Sequence, residues 1–338
     1  MRSWGGHEVV ARRVIRRSQR CCRSTTLSRA LTLYDSMMSP SVSVPILSDI
    51  SIVIPTVGRD LLEGCLQSIV GGNAWPARLI VVEQGSNPAV ATWISHHAVC
   101  GLSTEHVISR ERGAAAGRNR GIERVTTRFV ALTDDDCRVA PDWLERMAVR
   151  LRENADAFVT GRVEGLGVGS GVASPSLMES PDPQVHTRPL LKRDPLYGNN
   201  MGFAIATAER VGPLDERECV LFAEEAEWSY RALRAGVRVV YAPDVIVQHL
   251  AWRTAAELAL TYRRYARSQG GFYGTYLRRG DRFIMARALF DTARAPWLLL
   301  RGAATRNREL IAIGRAYLTE LPRGILSGLM AAGTTGAR

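Results

Sequence analysis

A short apolar segment that runs directly into three aspartates is the feature that most constrains the fold. Phe129–Thr133 is mainly branched or aromatic, as buried β-strands are, and Asp134, Asp135 and Asp136 follow without a spacer. Three adjacent carboxylates are costly to bury unless a cation compensates their charge. In an extended chain Asp134 and Asp136 would point to one side, at a spacing that a divalent cation can bridge. We therefore predict a metal site here, in preference to a simple acidic helix cap.

Strand and helix patterns alternate around this segment, which predicts an α/β fold. Further strand patterns occur at residues 50–54, 79–82, 105–108, 157–163, 237–241 and 245–248. Most are separated by helical patterns, among them an acidic helix that begins at Glu224 and ends at Gly236. Short connections between alternating elements predict a mostly parallel sheet covered by helices on both faces. Ligands bind such sheets beyond the carboxyl ends of the strands, where Thr56, Glu83 and the aspartates fall.

The charge of the chain is unevenly distributed, and this argues against a nucleic-acid-binding protein. The formal net charge is +11 over 338 residues. Residues 1–40 contain 8 arginines and 2 acids, and residues 252–338 contain 15 arginines and 5 acids. The middle of the chain, residues 41–251, contains 21 basic and 26 acidic residues. The two basic ends favour an anionic lipid surface or a polyanionic acceptor, because the predicted folded domain lacks the even cationic face of a nucleic-acid binder.

Composition divides the chain into three predicted parts. Residues 1–48 are rich in Arg and Ser, which predicts a disordered extension, a stretch upstream of a shorter protein, or a transit peptide. Residues 49–251 carry the α/β pattern and form the predicted catalytic domain, in which the Gly/Ser/Pro-rich residues 165–185 are expected to be a mobile loop. Residues 252–338 are expected to form basic amphipathic helices.

The C-terminal region has two interpretations, an ordinary helical cap on the catalytic domain or an interfacial membrane anchor. Its main feature is an apolar, largely aromatic stripe made of Leu258, Tyr262, Tyr265, Phe272 and Tyr276. Pro296 and Pro322 are expected to break the helices. No apolar run approaches the ~20 residues of a membrane-spanning helix, and the cysteines lack paired spacing. We expect a cytoplasmic protein, either free or peripheral on the cytoplasmic face of the membrane.

Six motifs in their expected order resemble the inverting glycosyltransferases of family two, whose nucleotide-sugar-binding fold is called GT-A. The resemblance covers residues 49–251. Its motifs are SIVIPT (51–56), VVEQGS (81–86), GRNRG (117–121), LTDDD (132–136), GNNMGF (198–203) and EEAE (224–227). The resemblance implies a GT-A α/β fold, a mostly parallel nucleotide-binding sheet flanked by helices, with the C-terminal helices as an extension.

The resemblance also implies how a donor sugar nucleotide would be held. Pro55, Thr56 and Glu83 would contact the base and ribose, and Arg118 the diphosphate or ribose. A carboxylate can accept the imino N–H of uracil, thymine or guanine, so a UDP, dTDP or GDP sugar is expected. Family members usually carry Asp at the position of Glu83, which leaves the base open.

The aspartate triplet resembles the DxD motif of this family. The resemblance implies Asp136 as a direct metal ligand, with Asp134 and His249 as further ligands, and Asp134 or Asp135 at the ribose. The cofactor is then expected to be Mg²⁺ or Mn²⁺, which bind oxygen ligands and diphosphates. Its role would be to stabilise the negative charge that grows on the leaving diphosphate.

By the same resemblance Glu225 is the expected catalytic base, with Glu224 as the alternative. The base would remove the proton of an acceptor hydroxyl, and a single in-line displacement would invert the configuration at the anomeric carbon. We also predict that Asn199, Asn200 and Trp228 contact the acceptor. That acceptor is expected to be a glycan or a lipid-linked molecule, in the synthesis of cell-envelope or surface polysaccharide.

Two other classes of protein stay open from the sequence. A nucleotidyltransferase acting on a sugar phosphate would also present carboxylates for metal-bound phosphates, but it normally has a Gly-rich basic loop, of which residues 56–59 are only a faint version. A non-catalytic protein that binds lipid or another polyanion would use the basic ends, but the acidic cluster would then have no role.

Overall fold

The computed structural model describes residues 44–98, 101–167, 172–173 and 176–331. All of them except Val44 belong to one compact unit that begins at Pro45. The predicted N-terminal extension falls almost entirely outside the described residues, as do residues 168–171 and 174–175 of the predicted mobile loop. Strand β1 begins at Ile46, a little before the predicted domain start at position 49.

Eleven strands lie in the described residues. They are β1 (Ile46–Thr56), β2 (Trp75–Glu83), β3 (Thr104–Ile108), β4 (Phe129–Thr133), β5 (Cys137–Val139), β6 (Ala157–Leu166), β7 (Val172–Ala173), β8 (Gln184–His186), β9 (Asn200–Ala204), β10 (Arg238–Leu250) and β11 (Arg253–Thr254). The two strands predicted between residues 237 and 248 are one strand, β10, because its pairing with β6 resumes at Ile246 after an irregularity that follows Ala242.

Nine α-helices lie in the same residues, with a short 3₁₀ helix at Glu218–Val220. They are α1 (Leu61–Val70), α2 (Ala89–His96), α3 (Ala114–Ile122), α4 (Trp143–Glu153), α5 (Ile205–Val211), α6 (Glu224–Arg234), α7 (Ala255–Leu277), α8 (Arg282–Ala304) and α9 (Arg308–Met330). Helix α6 is followed by Gly236 at φ +77°, as its sequence predicts for a C-terminal glycine.

One sheet organises the unit, with strands in the order β3-β2-β1-β4-β9-β6-β10-β5 and β8 paired to β10. Strands β1 to β4 are parallel, and so are β6 and β10. Strand β9 is antiparallel to both of its neighbours and joins the two parallel halves. Apolar clusters cover both faces: α1 and α4 pack on one, and α3, α5 and α6 on the other. The predicted α/β fold with a mostly parallel sheet is confirmed.

Two glycines let α3 lie directly against β1, and this closeness matters for the site below. A side-chain carbon on Gly121 would approach Val53 Cγ1 to 2.2 Å, and one on Gly117 would approach Pro55 Cβ to 2.8 Å. A larger residue would therefore push the helix away from the strand. This close approach brings Arg118, on the same helix, to the end of the sheet.

The three C-terminal helices pack on each other and on the 3₁₀ helix. Glycines of α7 and α9 meet so closely that a side-chain carbon on Gly274 would lie 2.2 Å from the carbonyl oxygen of Ile325. The expected breaks at Pro296 and Pro322 are wrong, because both prolines lie inside helices of 23 residues that tertiary packing holds together. In the described residues, no helix combines the length and the apolar character needed to cross a membrane.

The side chain of Asn200 helps β9 to hold the two halves of the sheet together, and this contribution can be measured. Its amide nitrogen donates to the carbonyl oxygens of Arg162 and Val245, and its oxygen accepts from Trp143 Nε1 at 2.9 Å. We predict that Asn200→Ala lowers the free energy of unfolding by about 3 kcal/mol, because buried polar groups lose their partners. Urea denaturation measures this change. Asn73→Ala, at an exposed position, is the control and should leave the midpoint nearly unchanged.

Candidate active site

A cleft of about 410 Å³ opens beyond the carboxyl ends of β1 and β4. Parallel strands end at this edge of the sheet, which is where ligands bind in such folds. Its walls include most of the residues singled out from the sequence, namely Pro55, Thr56, Arg118, Asp134, Asp135, Asp136, Asn199, Glu224, Glu225 and His249. We refer to this space as the carboxylate cleft.

The three aspartates point in different directions. The chain leaves the extended conformation after Thr133, and the amide of Cys137 donates to the carbonyl oxygen of Asp134 in a turn. The prediction that Asp134 and Asp136 share one side is therefore not met, because it requires an extended backbone. Each carboxylate instead has partners of its own.

Asp135 connects β4 to the loop that follows β1. It accepts hydrogen bonds from the Thr56 hydroxyl at 2.6 Å and from Arg59 Nη1 at 2.5 Å. Burial raises the pKa of Asp135 to about 6, although the Arg59 guanidinium acts in the opposite direction. This buried carboxylate holds the wall of the carboxylate cleft together.

Asp136 lies beside His249, and the sheet explains why. Strand β5 pairs antiparallel with β10 so that Cys137 lies opposite His249. The Asp136 carboxylate is 3.2 Å from His249 Nε2 and accepts from Trp252 Nε1 at 2.9 Å. Burial opposes ionisation, but the hydrogen bonds from His249 and Trp252 outweigh it and hold the pKa of Asp136 well below its usual range. Asp136 is therefore an anion at neutral pH.

Asp136, Cys137 and His249 form the group of potential metal ligands in the described part of the chain. Their ligand atoms lie within 4.8 Å of one another. Burial raises the pKa of the Cys137 thiol well above its ordinary value, so sulfur is the poorest donor of the three. A carboxylate and an imidazole remain, a donor set that suits a divalent ion such as Mn²⁺. Asp134 is not part of this group.

Arg118 is buried between two acids on opposite sides of the cleft. Its Nη1 donates to Glu224 Oε1 at 2.8 Å, and its Nη2 donates to Asp134 Oδ1 at 2.9 Å. Gly198 is packed against the guanidinium, since a side-chain carbon there would lie 2.6 Å from Nη2. Burial and the Glu225 carboxylate raise the pKa of Glu224 well above its ordinary value, while Arg118 opposes this. The arginine thereby fixes α6 to the end of β4.

Glu224 and Glu225 are adjacent at the start of α6, but their surroundings differ. The Glu224 side chain is buried and held by Arg118, whereas Glu225 is half-buried and lines the cleft. A general base must reach the substrate proton with a free oxygen. The geometry therefore favours Glu225 over Glu224 for that role.

Three residues predicted to bind substrate do not line the carboxylate cleft. Asn200 and Trp228 are fully buried, Asn200 between strands and Trp228 against Phe158 and Phe203. The predicted acceptor contacts of Asn200 and Trp228 are therefore corrected to packing roles. Glu83 is buried at the end of β2. Its Oε1 accepts from the backbone nitrogen of Asn87 at 3.0 Å, and its Oε2 lies 2.8 Å from His106 Nε2. The neighbouring Gln84 lines the cleft instead.

Asn199 is unlike its neighbour Asn200, because its amide has no partner within the described residues. Both Oδ1 and Nδ2 are buried without a hydrogen bond, and the residue lines the cleft. Buried polar groups without partners are costly and rare in native proteins. Such an amide is suited to a sugar hydroxyl, which both donates and accepts.

The sequence reasoning gave no role to Arg59, Trp252 and Arg253, which lie close to the aspartates. Arg59 contacts Asp135 and lies 3.7 Å from Asp136 Oδ2, and Arg253 lies 3.7 Å from the same oxygen. The guanidinium groups of Arg59 and Arg253 lie 5.3 Å and 4.2 Å from the centroid of the Trp252 ring. The position of Trp252 and Arg253 directly after the His249 strand was the available signal.

Comparisons with known proteins agree with this fold and cleft. The family model described as glycosyl transferase family 2 matches residues 51–215. Glycosyltransferase AglE of Haloferax volcanii is 26% identical over 225 residues, which are 65% of this chain and 72% of AglE. Pre-mycofactocin glycosyltransferase of Mycobacterium tuberculosis is 27% identical over 206 residues, which are 60% of this chain and only 42% of that protein.

The architecture also matches solved structures. Mannosyltransferase PcManGT of Pyrobaculum calidifontis, solved in complex with GDP-Man and Mn²⁺, has a TM-score of 0.56 and 17% identity. The match covers 90% of this chain and 94% of that one. The fold is thus that of the GT-A glycosyltransferases. Together with the family model and the relatives, it identifies the chain as a family 2 glycosyltransferase, and the prediction made from the six motifs is confirmed.

The buried Arg118 pair gives a stability prediction. Arg118→Met should lower the free energy of unfolding by about 3 to 5 kcal/mol, because it leaves the buried Glu224 carboxyl group without its partner. Adding Glu224→Gln should recover part of that loss, as measured by urea denaturation of both variants. Arg120→Met is the matched control on the same helix, since its ion pairs are exposed, and it should change stability little. Equal losses for the Arg118 and Arg120 variants would contradict the prediction.

Proposed function

We propose that this glycosyltransferase moves a sugar from a nucleoside diphosphate to a hydroxyl of a glycan or lipid-linked acceptor, with metal assistance and inversion of configuration. The observation that carries the proposal is the carboxylate cleft itself. It combines a carboxylate and imidazole pair, a half-buried glutamate and four arginines at one edge of a GT-A sheet. Each of these groups suits a different task in the transfer reaction: metal binding, proton removal or binding of the diphosphate.

The donor would occupy the side of the cleft formed by β1 and the aspartates. Pro55 and Thr56 end β1 there and would lie against the base and ribose. Arg59, Arg118 and Arg253 supply positive charge for the diphosphate. Glu83 supports this wall from behind, and the identity of the base stays among uracil, thymine and guanine.

A divalent cation fits the residues present. Asp136 and His249 would hold it, since their side chains are in contact with each other and both residues line the cleft. When bound, the ion would stabilise negative charge on the diphosphate leaving group. Mg²⁺ is usually bound by oxygen atoms alone, so the imidazole of His249 favours Mn²⁺.

Glu225 would act as the general base on the acceptor hydroxyl. Its carboxylate takes the hydroxyl proton as the acceptor oxygen forms a bond to the anomeric carbon. On the opposite face the bond from that carbon to the phosphate oxygen breaks, and its electron pair stays with the diphosphate. Arg118 holds Glu224 and thereby positions the start of α6, while the Asn199 amide is free to bind a sugar hydroxyl. One displacement of this kind inverts the anomeric configuration.

The role of Glu225 can be tested by Glu225→Gln. We expect transfer to fall about 100- to 10,000-fold, because the amide cannot accept the proton, while binding of nucleoside diphosphate is retained. Release of nucleoside diphosphate from UDP, GDP and dTDP sugars measures transfer, and NMR of the product should show the inverted anomer. Glu209→Gln, at an exposed position on α5, is the control. Parental rates in the Glu225 variant, or a retained anomeric configuration, would refute the mechanism.

The metal site can be tested without turnover. We expect Mn²⁺ together with a nucleoside diphosphate to raise the melting temperature of the parent protein, since a ligand that binds only the folded state stabilises it. Asp136→Asn and His249→Ala should each abolish most of this rise. Cys137→Ala should keep it, because the protonated thiol is not an expected ligand. A Mn²⁺ response that survives in the Asp136 variant would locate the ion elsewhere.

A further inference from the structure

The outward face of α8 is apolar and exposed to solvent. Met285, Leu289, Trp297 and Leu300 are 50%, 66%, 50% and 73% exposed. With the exposed Ala293 they recur every three or four residues, so they lie on one side of the helix. An exposed apolar strip of this length marks an interaction surface on a soluble domain.

Two charged residues of α8 point inward, where a surface helix usually buries only apolar side chains. Arg287 is buried and forms two hydrogen bonds to Asp194, at 2.7 Å and 2.5 Å. Asp291 is also buried and accepts from the Tyr273 hydroxyl at 2.6 Å. Because these paired charges fix the rotation of the helix, the apolar side is held outward by specific contacts.

Helix α9, which packs against α8, also exposes large apolar side chains. Leu318, Leu326, Leu329 and Met330 are large apolar residues that are also exposed. By contrast, Leu258, Tyr262 and Phe272 of the aromatic stripe on α7 are buried, and Tyr276 packs on Tyr230. Within the C-terminal region that the sequence offered as a candidate anchor, the exposed apolar residues therefore lie on α8 and α9, and the aromatic stripe of α7 is mostly buried. The name lipid face is used below for the exposed apolar residues of α8 and α9.

Arginines surround the lipid face. Those exposed on the two helices and on the turn between them are Arg282, Arg301, Arg306, Arg308, Arg315 and Arg323. Within residues 282–331 the exposed acid is Glu309, whereas Asp291 and Glu320 are buried. Arg301 also stacks over the Trp297 ring at 5.1 Å, which combines an apolar ring with a cation at one point. Tryptophan, leucine and arginine in this arrangement are typical of helices that lie in a membrane interface.

We propose that the lipid face binds an anionic membrane surface, with α8 lying in the plane of the interface. Trp297 and the leucines enter the boundary between headgroups and acyl chains, and the arginines contact lipid phosphates. A second copy of this chain is the poorer partner, because a symmetric interface would bring the arginines of both copies together without acids to match them. This inference goes beyond glycosyl transfer and does not depend on it.

Sedimentation of the full chain with lipid vesicles tests this proposal. We expect binding to vesicles of phosphatidylcholine and phosphatidylglycerol, and weak binding to phosphatidylcholine alone. Leu289→Ser combined with Leu300→Ser should weaken binding by about tenfold for each leucine. Arg301→Gln and Arg308→Gln should weaken it about fivefold each. The matched control is Val149→Ser with Val185→Ser, since both valines are exposed apolar residues outside α8 and α9, and it should bind as the parent does.

Several outcomes would overturn the proposal. They are no binding at low salt, equal binding to both kinds of vesicle, and equal losses in the leucine and valine variants. A dimer in light scattering that the leucine variant converts to monomer would also overturn it, because a second copy would then cover this face. Glu225→Gln should bind vesicles as the parent does, so loss of transfer and loss of lipid binding are separate results.

Discussion

The buried guanidinium of Arg118 is the interaction on which the active-site architecture depends. It links Glu224 at the start of α6 to Asp134 at the end of β4, two segments ninety residues apart in the chain. A charge this deeply buried is stable only when its partners are in place, so the helix that carries Glu225 cannot shift independently of the sheet. Gly117, Gly121 and Gly198 make room for this arrangement, which explains why small residues recur in the motifs around it.

A second constraint comes from strand pairing. Asp136 and His249 are far apart in sequence, and the antiparallel pairing of β5 with β10 brings them together. Hydrogen bonds from His249 and Trp252 then hold the pKa of Asp136 low, so the carboxylate stays ionised although it is buried. The potential metal ligands are thus positioned by backbone hydrogen bonds of the sheet.

The C-terminal helices are held together by other kinds of contact than the sheet. Their cohesion comes from close glycine contacts between α7 and α9 and from buried ion pairs such as Arg287 with Asp194. Two charged residues of α8 are thereby buried with partners, while a strip of large apolar side chains stays at the surface. Charged side chains are normally excluded from the interior unless paired, and exposed apolar strips mark interaction surfaces, so this distribution supports the membrane contact proposed for the outer face.

The sequence by itself determined the fold class, the strand that ends at Thr133 and the family, because hydrophobic periodicity and short motifs are local properties. Most of the site residues that it indicated do line the cleft, since parallel strands deliver their carboxyl ends to one edge. Only the tertiary structure decided which of these residues have partners of their own. Asn199 and Asn200 are neighbours, yet the Asn199 amide is unpartnered in the cleft and the Asn200 amide is bonded between strands, because Asn199 lies in the turn before β9 and Asn200 is the first residue of the strand. The outward face of α8 was likewise decided by the pairing of Arg287 with Asp194 and of Asp291 with Tyr273, which no local pattern encodes.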